Sequence, residues 1–329
     1  MTILITGVAG FIGSHLAKYY LESGEVVVGV DNFSSYYSTE LKRRRVFNLS
    51  DPNFKFYELD LSVLNNSSRL FKEFNFNKVF HFAAQPGVRL PIKDNHIYTK
   101  DNLVAFSNVM QSIIDFEVKE FVYASSSSVY GNSEEFPYSE STKILQPISY
   151  YGATKLCNEI IADALVKNSS TKAIGLRFFT VYGPWGRPDM AYFRIINSIL
   201  NDKPFNLYGS GEVLRDFTFI QDLITSIAFL SKNLSKIRSG TSEIFNIGGG
   251  SPYSILDLIN EVQNQTGKQL EIIYKDKFLT DVQQTLADCT KLENFTGFKP
   301  KINLRSGLNE VLNWAFQNEV KSEIDKWVS

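Results

Sequence analysis

The chain is poor in the residues that staple or metallate proteins. Its 329 residues include two cysteines, Cys157 and Cys289, far apart in sequence. That excludes a disulfide framework and points to a reducing compartment; Cys157 reads as an inert buried thiol. Three histidines, none at a metal-ligand spacing with the cysteines, give no reason to expect a metal. The net charge of −1 removes the electrostatic case for binding nucleic acid or a membrane surface. No apolar run reaches the ~20 residues that span a bilayer. The first residues, Met1-Thr2-Ile3-Leu4-Ile5-Thr6-Gly7, have no basic leader region. The expectation is a cytoplasmic protein without a membrane partner. The densest cationic run, Lys42-Arg43-Arg44-Arg45, reads as a solvated helix face, with a phosphate or nucleic-acid contact as the alternative.

What is present is alternation. Short apolar runs at Ile3–Thr6, Val26–Val30, Phe54–Leu59, Lys78–Ala83, Phe121–Ser125 and Ala173–Phe178 predict strands buried on both faces. Helical patterns fall between them at Phe11–Glu22, Leu64–Phe74, Asn102–Phe116 and Tyr150–Val166. That order predicts an α/β fold with a Rossmann-type doubly wound parallel sheet. Past residue 180 the loops lengthen and the helices scatter, which predicts a smaller mixed α/β lobe for the substrate. The expected division is 1–179 for the dinucleotide lobe, with segments near 216–247 returning to it, and mainly 180–329 for the second lobe.

The first strand runs into Gly7-Val8-Ala9-Gly10-Phe11-Ile12-Gly13. Glycines let the backbone turn tightly and approach a pyrophosphate, and the following helix offers free N–H groups to it. Asp31 closes the second strand about twenty residues on, where an acid binds the adenosine ribose hydroxyls and repels a 2′-phosphate. NAD is therefore expected rather than NADP. Asp60-Leu61 follows the third strand; Asp60 is placed to contact adenine or to cap the next helix.

Tyr151 and Lys155 stand four apart in a helical pattern, so they share a face. A free phenol has a pKa near ~10 and is a poor base. A neighbouring ammonium is expected to lower that value and make Tyr151 a proton acceptor for a sugar hydroxyl.

Together, Gly7-x-x-Gly10-x-x-Gly13, Ala83-Ala84, Ser125-Ser126-Ser127-Ser128-Val129-Tyr130-Gly131 and Tyr151-x-x-x-Lys155 resemble the extended short-chain dehydrogenase/reductase superfamily. Ser127-Ser128 before Val129 lack the acid that marks the superfamily's dehydratases and decarboxylases, which favours a 4-epimerase. Phe82–Arg89 and the run Leu176–Ala191, with Trp185-Gly186-Arg187-Pro188-Asp189-Met190, are similar to UDP-glucuronate 4-epimerases. The resemblance implies tightly held NAD, a UDP-sugar substrate and a homodimer. It places cofactor contacts at Gly7, Gly10, Phe11, Ile12, Gly13, Asp31, Asn32, Asp60, Leu61, Ala83, Ala84, Asn102, Tyr151, Lys155 and Phe178, the last equally a core residue. It places catalysis at Tyr151, Lys155 and Ser126, with the proton leaving C4 directly to Tyr151 or through Ser126. Substrate contacts fall at Ser126, Ser127, Thr180, Arg187, Arg215, Asp281 and Arg89, the last equally a loop residue. Oxidation at C4 of a uronate makes a β-keto acid prone to lose CO2. An arginine fork is the natural clamp for that carboxylate, and Arg187 with Thr180 is the expected pair, with a loop salt bridge as the other role for Arg187. The rivals are a 4-epimerase of UDP-N-acetylhexosamine, its uronate or UDP-glucose, and a non-catalytic sensor on the same fold.

Overall fold

The structure, a computed structural model, describes residues 1–88, 90–276 and 284–328. Six strands come first: β1 (Thr2–Thr6), β2 (Val26–Asp31), β3 (Phe54–Glu58), β4 (Lys78–His81), β5 (Glu120–Ser126) and β6 (Lys172–Phe178). The rest are β7 (Thr180–Tyr182), β8 (Phe205–Tyr208), β9 (Arg215–Phe219), β10 (Thr241–Ile247), β11 (Pro252–Tyr253) and β12 (Ile272–Lys275).

A seven-stranded sheet runs in the order β3-β2-β1-β4-β5-β6-β10, and every pairing in it is parallel. Apolar runs suit such strands because both faces are covered. Along β1, Ile3 and Ile5 enter one core cluster with the Phe11–Glu22 and Ile220–Lys232 helices. Leu4, between them, enters the opposite cluster with the Ala105–Asp115 and Tyr150–Val166 helices. This is the period-two alternation of a strand, read in three dimensions. Strand order reverses between β1 and β4, and such a switch point opens a crevice at the carboxyl ends of the strands. Thr6 lies level with Val30 on one side and His81 on the other, so the ends of β1, β2 and β4 share one rim.

The later chain forms two small sheets. In one, β9 pairs parallel with β7 and antiparallel with β11; in the other, β12 pairs parallel with β8. Around them pack the helices Ala191–Leu200, Ile255–Thr266 and Leu304–Ala315. The second of these starts in a capping box of Ser254 and Asp257 and ends at Gly267 with φ +67°. The fold class expected from alternation is the one present.

Some boundaries differ for local reasons. β4 ends at His81, not Ala83, because Phe82 N–H turns to Thr6 O (3.2 Å) and Ala83 N–H to Thr6 Oγ1 (3.2 Å). The helix expected from Asn102 begins at Asn95 and passes through a π-helical turn, Thr99–Val104, before continuing as Ala105–Asp115. The cationic run is a solvated face only in part: Arg43 is exposed and Arg44 half-buried, but Lys42 and Arg45 turn inward. It lies on the helix Thr39–Phe47, where Lys42 and Arg45 are 5% and 2% exposed. Cys157 is exposed rather than buried.

Candidate active site

A continuous cavity of ≈ 560 Å³ follows the crevice from the Gly7–Gly13 turn to β8. Gly7 sits at φ +69°, and a Cβ there would come within 2.6 Å of Ala83 N. A Cβ on Gly13 would reach 2.2 Å from Gly7 O. The turn therefore admits only glycine at these two positions, and it brings backbone to the cavity wall. No side chain caps the helix that follows at Gly10, and its first residues Phe11, Ile12 and Gly13 line the cavity. A bare helix start beside a side-chain-free turn fits a dinucleotide's pyrophosphate.

Asp31 stands at the end of β2. Its oxygens accept from Phe33 N (2.9 Å) and Ala9 N (3.1 Å). Burial pushes its carboxyl above the usual range, against those bonds and the charges of Lys42 and Arg45. Asn32 also lines the cavity. Asp60 lines it too, as the expected adenine contact requires, but it does not cap the next helix. It closes its own turn, accepting from Ser62 N (2.9 Å) and Ser62 Oγ (2.6 Å), and it takes Lys100 Nζ at 2.6 Å. The next helix, Asn66–Glu73, is preceded by Asn65 instead. Burial works to raise the Asp60 carboxyl, yet the Lys100 and Ser62 bonds leave it below its ordinary value. Leu61, Ala83, Ala84 and Phe178 line the same wall. Asn102 is not among the cavity-lining residues. At 1% exposure its amide holds Gln85 N (2.8 Å), Gln85 O (3.3 Å) and Thr154 Oγ1 (3.0 Å), which braces the loop after β4.

Tyr151, Lys155, Ser126 and Ser127 meet in the middle of the cavity. Ser149 Oγ accepts Gly152 N at 3.0 Å and starts their helix. Gly152 packs so closely on the turn Ser127–Tyr130 that a Cβ would lie 2.6 Å from Ser128 O. That close approach brings Tyr151 to Ser126, which hydrogen-bonds it. Lys155 Nζ donates to Ala124 O at 2.9 Å and lies 5.8 Å from the Tyr151 ring centre. The electrostatics differ from expectation. Burial raises the Tyr151 phenol above its ordinary value, and the charge that opposes this is Arg187, helped by the Ser126 bond. Lys155 is itself lowered to about 8 by burial.

Beneath this cluster lies a buried ion pair missing from the sequence reading. Arg177 on β6 grips Glu159 with two bonds, Nε–Oε1 at 2.9 Å and Nη2–Oε2 at 2.8 Å. Ser125 Oγ donates to Glu159 Oε1 (2.5 Å), and Arg177 Nη1 reaches Tyr130 Oη (2.9 Å). Glu159 is eight residues beyond Tyr151 on one helix face, so spacing carried a signal for it.

On the facing wall, Thr180, Arg187 and Asp189 line the cavity. Arg187 pairs with Asp189 through Nε–Oδ1 (3.0 Å) and Nη2–Oδ2 (2.5 Å). Tyr36 also bonds Asp189. Arg187 thus makes the loop salt bridge and faces the cavity as well. Arg215 lines the far end and donates to Leu214 O (2.9 Å). Sequence reasoning missed Arg194, whose guanidinium lies 5.6 Å from the Phe205 ring and 5.9 Å from that of Tyr208. It also missed Tyr36, Tyr37 and Lys42; their closeness to the Asp31 strand end was the available signal. Arg89 and Asp281 lie outside the described residues. Among the described residues no group of three or more His, Cys, Asp or Glu is placed to hold a metal. No helix among them is long and apolar enough to cross a membrane.

Residues 3–248 match the model of the NAD dependent epimerase/dehydratase family. A curated relative, a UDP-glucuronate 4-epimerase of Thermodesulfobacterium geofontis, is 35% identical over 96% of this chain and 96% of its own. The crystal structure of UDP-glucuronic acid 4-epimerase from Bacillus cereus, in complex with UDP-glucuronic acid and NAD, superposes with a TM-score of 0.89. It is 34% identical and covers 95% of this chain and 98% of that one. A UDP-glucose 4-epimerase of Thermotoga maritima, solved with UDP-glucose, gives 0.86 at 29% identity, with 95% and 98% covered. The chain belongs to the NAD-dependent epimerase/dehydratase family. It is an NAD-dependent nucleotide-sugar epimerase by class, and its named relatives include UDP-glucuronate 4-epimerases.

Proposed function

We propose that the protein interconverts UDP-glucuronate and UDP-galacturonate by reversible oxidation at C4. The observation that carries this is Arg187. It lines the cavity beside Thr180, and its charge reaches the Tyr151 phenol. A cation in that place suits a sugar bearing a carboxylate one carbon from the reacting centre. Asp189 takes Nε and Nη2, so the sugar acid would meet the Nη1 side of the guanidinium.

Bound NAD supplies the hydride acceptor and donor. The chain does the rest. The Gly7–Gly13 turn and Asp31 hold the dinucleotide. Tyr151 accepts the C4 hydroxyl proton, with Ser126 aligning that hydroxyl. Lys155, tied to Ala124 O, fixes the phenol's surroundings. Arg187 and Thr180 hold the carboxylate so that its C–C bond stays in the plane of the C4 ketone, which suppresses loss of CO2. Arg215 contacts the UDP end; Asp281 for the same end and Arg89 for the sugar or diphosphate rest on the resemblance alone. We place the NAD-binding lobe at 1–179, with the segment near 216–247, and the sugar-nucleotide lobe mainly at 180–329. The active form proposed is a cytoplasmic homodimer.

Proton NMR of UDP-glucuronate incubated with purified protein tests this. Appearance of UDP-galacturonate without added NAD supports both the substrate and a retained cofactor. Conversion of UDP-glucose or UDP-N-acetylglucosamine alone would keep the reaction type and discard the uronate.

A further inference from the structure

We propose that Arg45 is a positioning residue that holds the sugar-acid clamp in register with the dinucleotide turn, and through Arg187 sets the preference for an acidic sugar. This rests on the uronate assignment above. Arg45 lies on the Thr39–Phe47 helix and is 2% exposed. Among the described residues no carboxylate forms an ion pair with it. Oxygen dipoles surround it instead. Nη1 donates to Ala9 O (3.0 Å) and Tyr37 Oη (2.7 Å), Nε to Trp185 O (2.9 Å), and Nη2 to Gly186 O (2.7 Å).

The three carbonyls belong to two loops far apart in sequence. Ala9 lies inside the glycine turn, and its N–H bonds Asp31 Oδ2 at 3.1 Å. Trp185 and Gly186 immediately precede Arg187. One guanidinium therefore spans the path from the adenosine-side carboxylate to the residue assigned to the sugar acid. The second loop needs such a hold. Trp185 sits at φ +59°, a conformation a large side chain rarely adopts. Its ring packs 5.4 Å from Trp314 and 5.9 Å from Trp327, while a Cβ on Gly186 would overlap Tyr192 Oη. Packing thus fixes one side of this loop and Arg45 fixes its carbonyls on the other.

A buried guanidinium without a carboxylate partner is costly. An apolar side chain in its place would leave the Ala9, Trp185 and Gly186 carbonyls without these donors, so its bonds and not its bulk account for it. What the arginine adds is a rigid fork with donors aimed in several directions, which a lysine ammonium cannot reproduce. Preorganising the residue that binds charge is what such a support does for a site.

Isothermal titration of the NAD-loaded protein with UDP-glucuronate, UDP-glucose and UDP tests this on wild type, Arg187→Ala, Arg45→Lys and Tyr37→Phe. Wild type should prefer the uronate, and Arg187→Ala should erase that preference. Arg45→Lys should narrow it by about tenfold, as expected for lost bonds to a charged group. UDP affinity and NAD content should stay near wild type. Tyr37→Phe keeps all three carbonyl bonds and should narrow the preference about two- to threefold. If wild type shows no preference, or Arg187→Ala keeps it, the uronate assignment fails and Arg45 falls with it. If Arg187→Ala erases the preference while Arg45→Lys leaves it whole, or weakens all three ligands equally, only the role of Arg45 is overturned. Should Arg45→Lys not fold, Arg45→Gln, which keeps an amide donor but loses the fork, is judged by the same criterion.

Discussion

Removing Arg177 should unfold this protein more readily than any loss of surface charge. Arg177 and Glu159 are 4% and 7% exposed at their side chains, and they share two charge-assisted bonds. Arg177→Met would leave a buried carboxylate with Ser125 Oγ as its remaining hydrogen-bond donor. Orphaning one partner of such a pair costs about 3–5 kcal/mol. That is a large fraction of a typical stability of about 5–15 kcal/mol. The midpoint of thermal unfolding should fall by roughly 4–7 °C. The double variant Arg177→Met, Glu159→Leu removes the orphaned charge and should recover most of the loss. Tyr130 Oη loses a partner in both, but keeps its bond to Asn246 Oδ1 at 2.8 Å. Calorimetry on the three proteins measures this directly. A double variant no more stable than Arg177→Met would refute the reasoning, because the cost would then lie in lost packing rather than in buried charge.

Tyr151→Phe should lower turnover by about 10²–10⁴-fold while NAD remains bound, seen as cofactor released on denaturation; unchanged turnover would remove Tyr151 as the proton acceptor. Gly7→Ala puts a methyl 2.6 Å from Ala83 N at φ +69° and should yield protein purified without NAD. Asp216 is fully buried, and burial raises its carboxyl from 3.8 to about 6 against bonds from Ala287, Gly249 and Gly250 N–H. Its folded state holds a proton that the unfolded chain has released, so its contribution to stability falls as pH rises from 3.8 to about 6 and is level above that. The change is up to roughly 3 kcal/mol, and it should vanish from the pH profile of Asp216→Asn in urea unfolding, whatever constant cost that variant carries.

Much of the site was legible because its chemistry depends on near neighbours in sequence. The Gly7–Gly13 turn, Asp31 and Tyr151-x-x-x-Lys155 each act through a strand end or one helix turn, so spacing predicts geometry. The serine run at 125–128 was legible for the same reason. The carboxyl end of β5 could only deliver it to the crevice. Asn102 was misplaced because its amide is spent on Gln85 and Thr154, and no composition signal marks those tertiary partners.

Within the cationic run, Lys42 and Arg45 were misread because charge pattern describes an isolated helix, not its neighbours. The residues that answer Arg45 are carbonyls at Ala9, Trp185 and Gly186, and carbonyls leave no mark in a sequence. The raised phenol of Tyr151 likewise depends on burial and on Arg187, thirty-six positions away in sequence. By itself, then, the sequence determined the alternation of strands and helices, the glycine turn and the Tyr151–Lys155 spacing, since short-range backbone geometry governs all three. Tertiary structure alone decided which charges are buried, what answers them and how the two loops meet, because those energies depend on solvent exclusion by parts of the chain remote from one another.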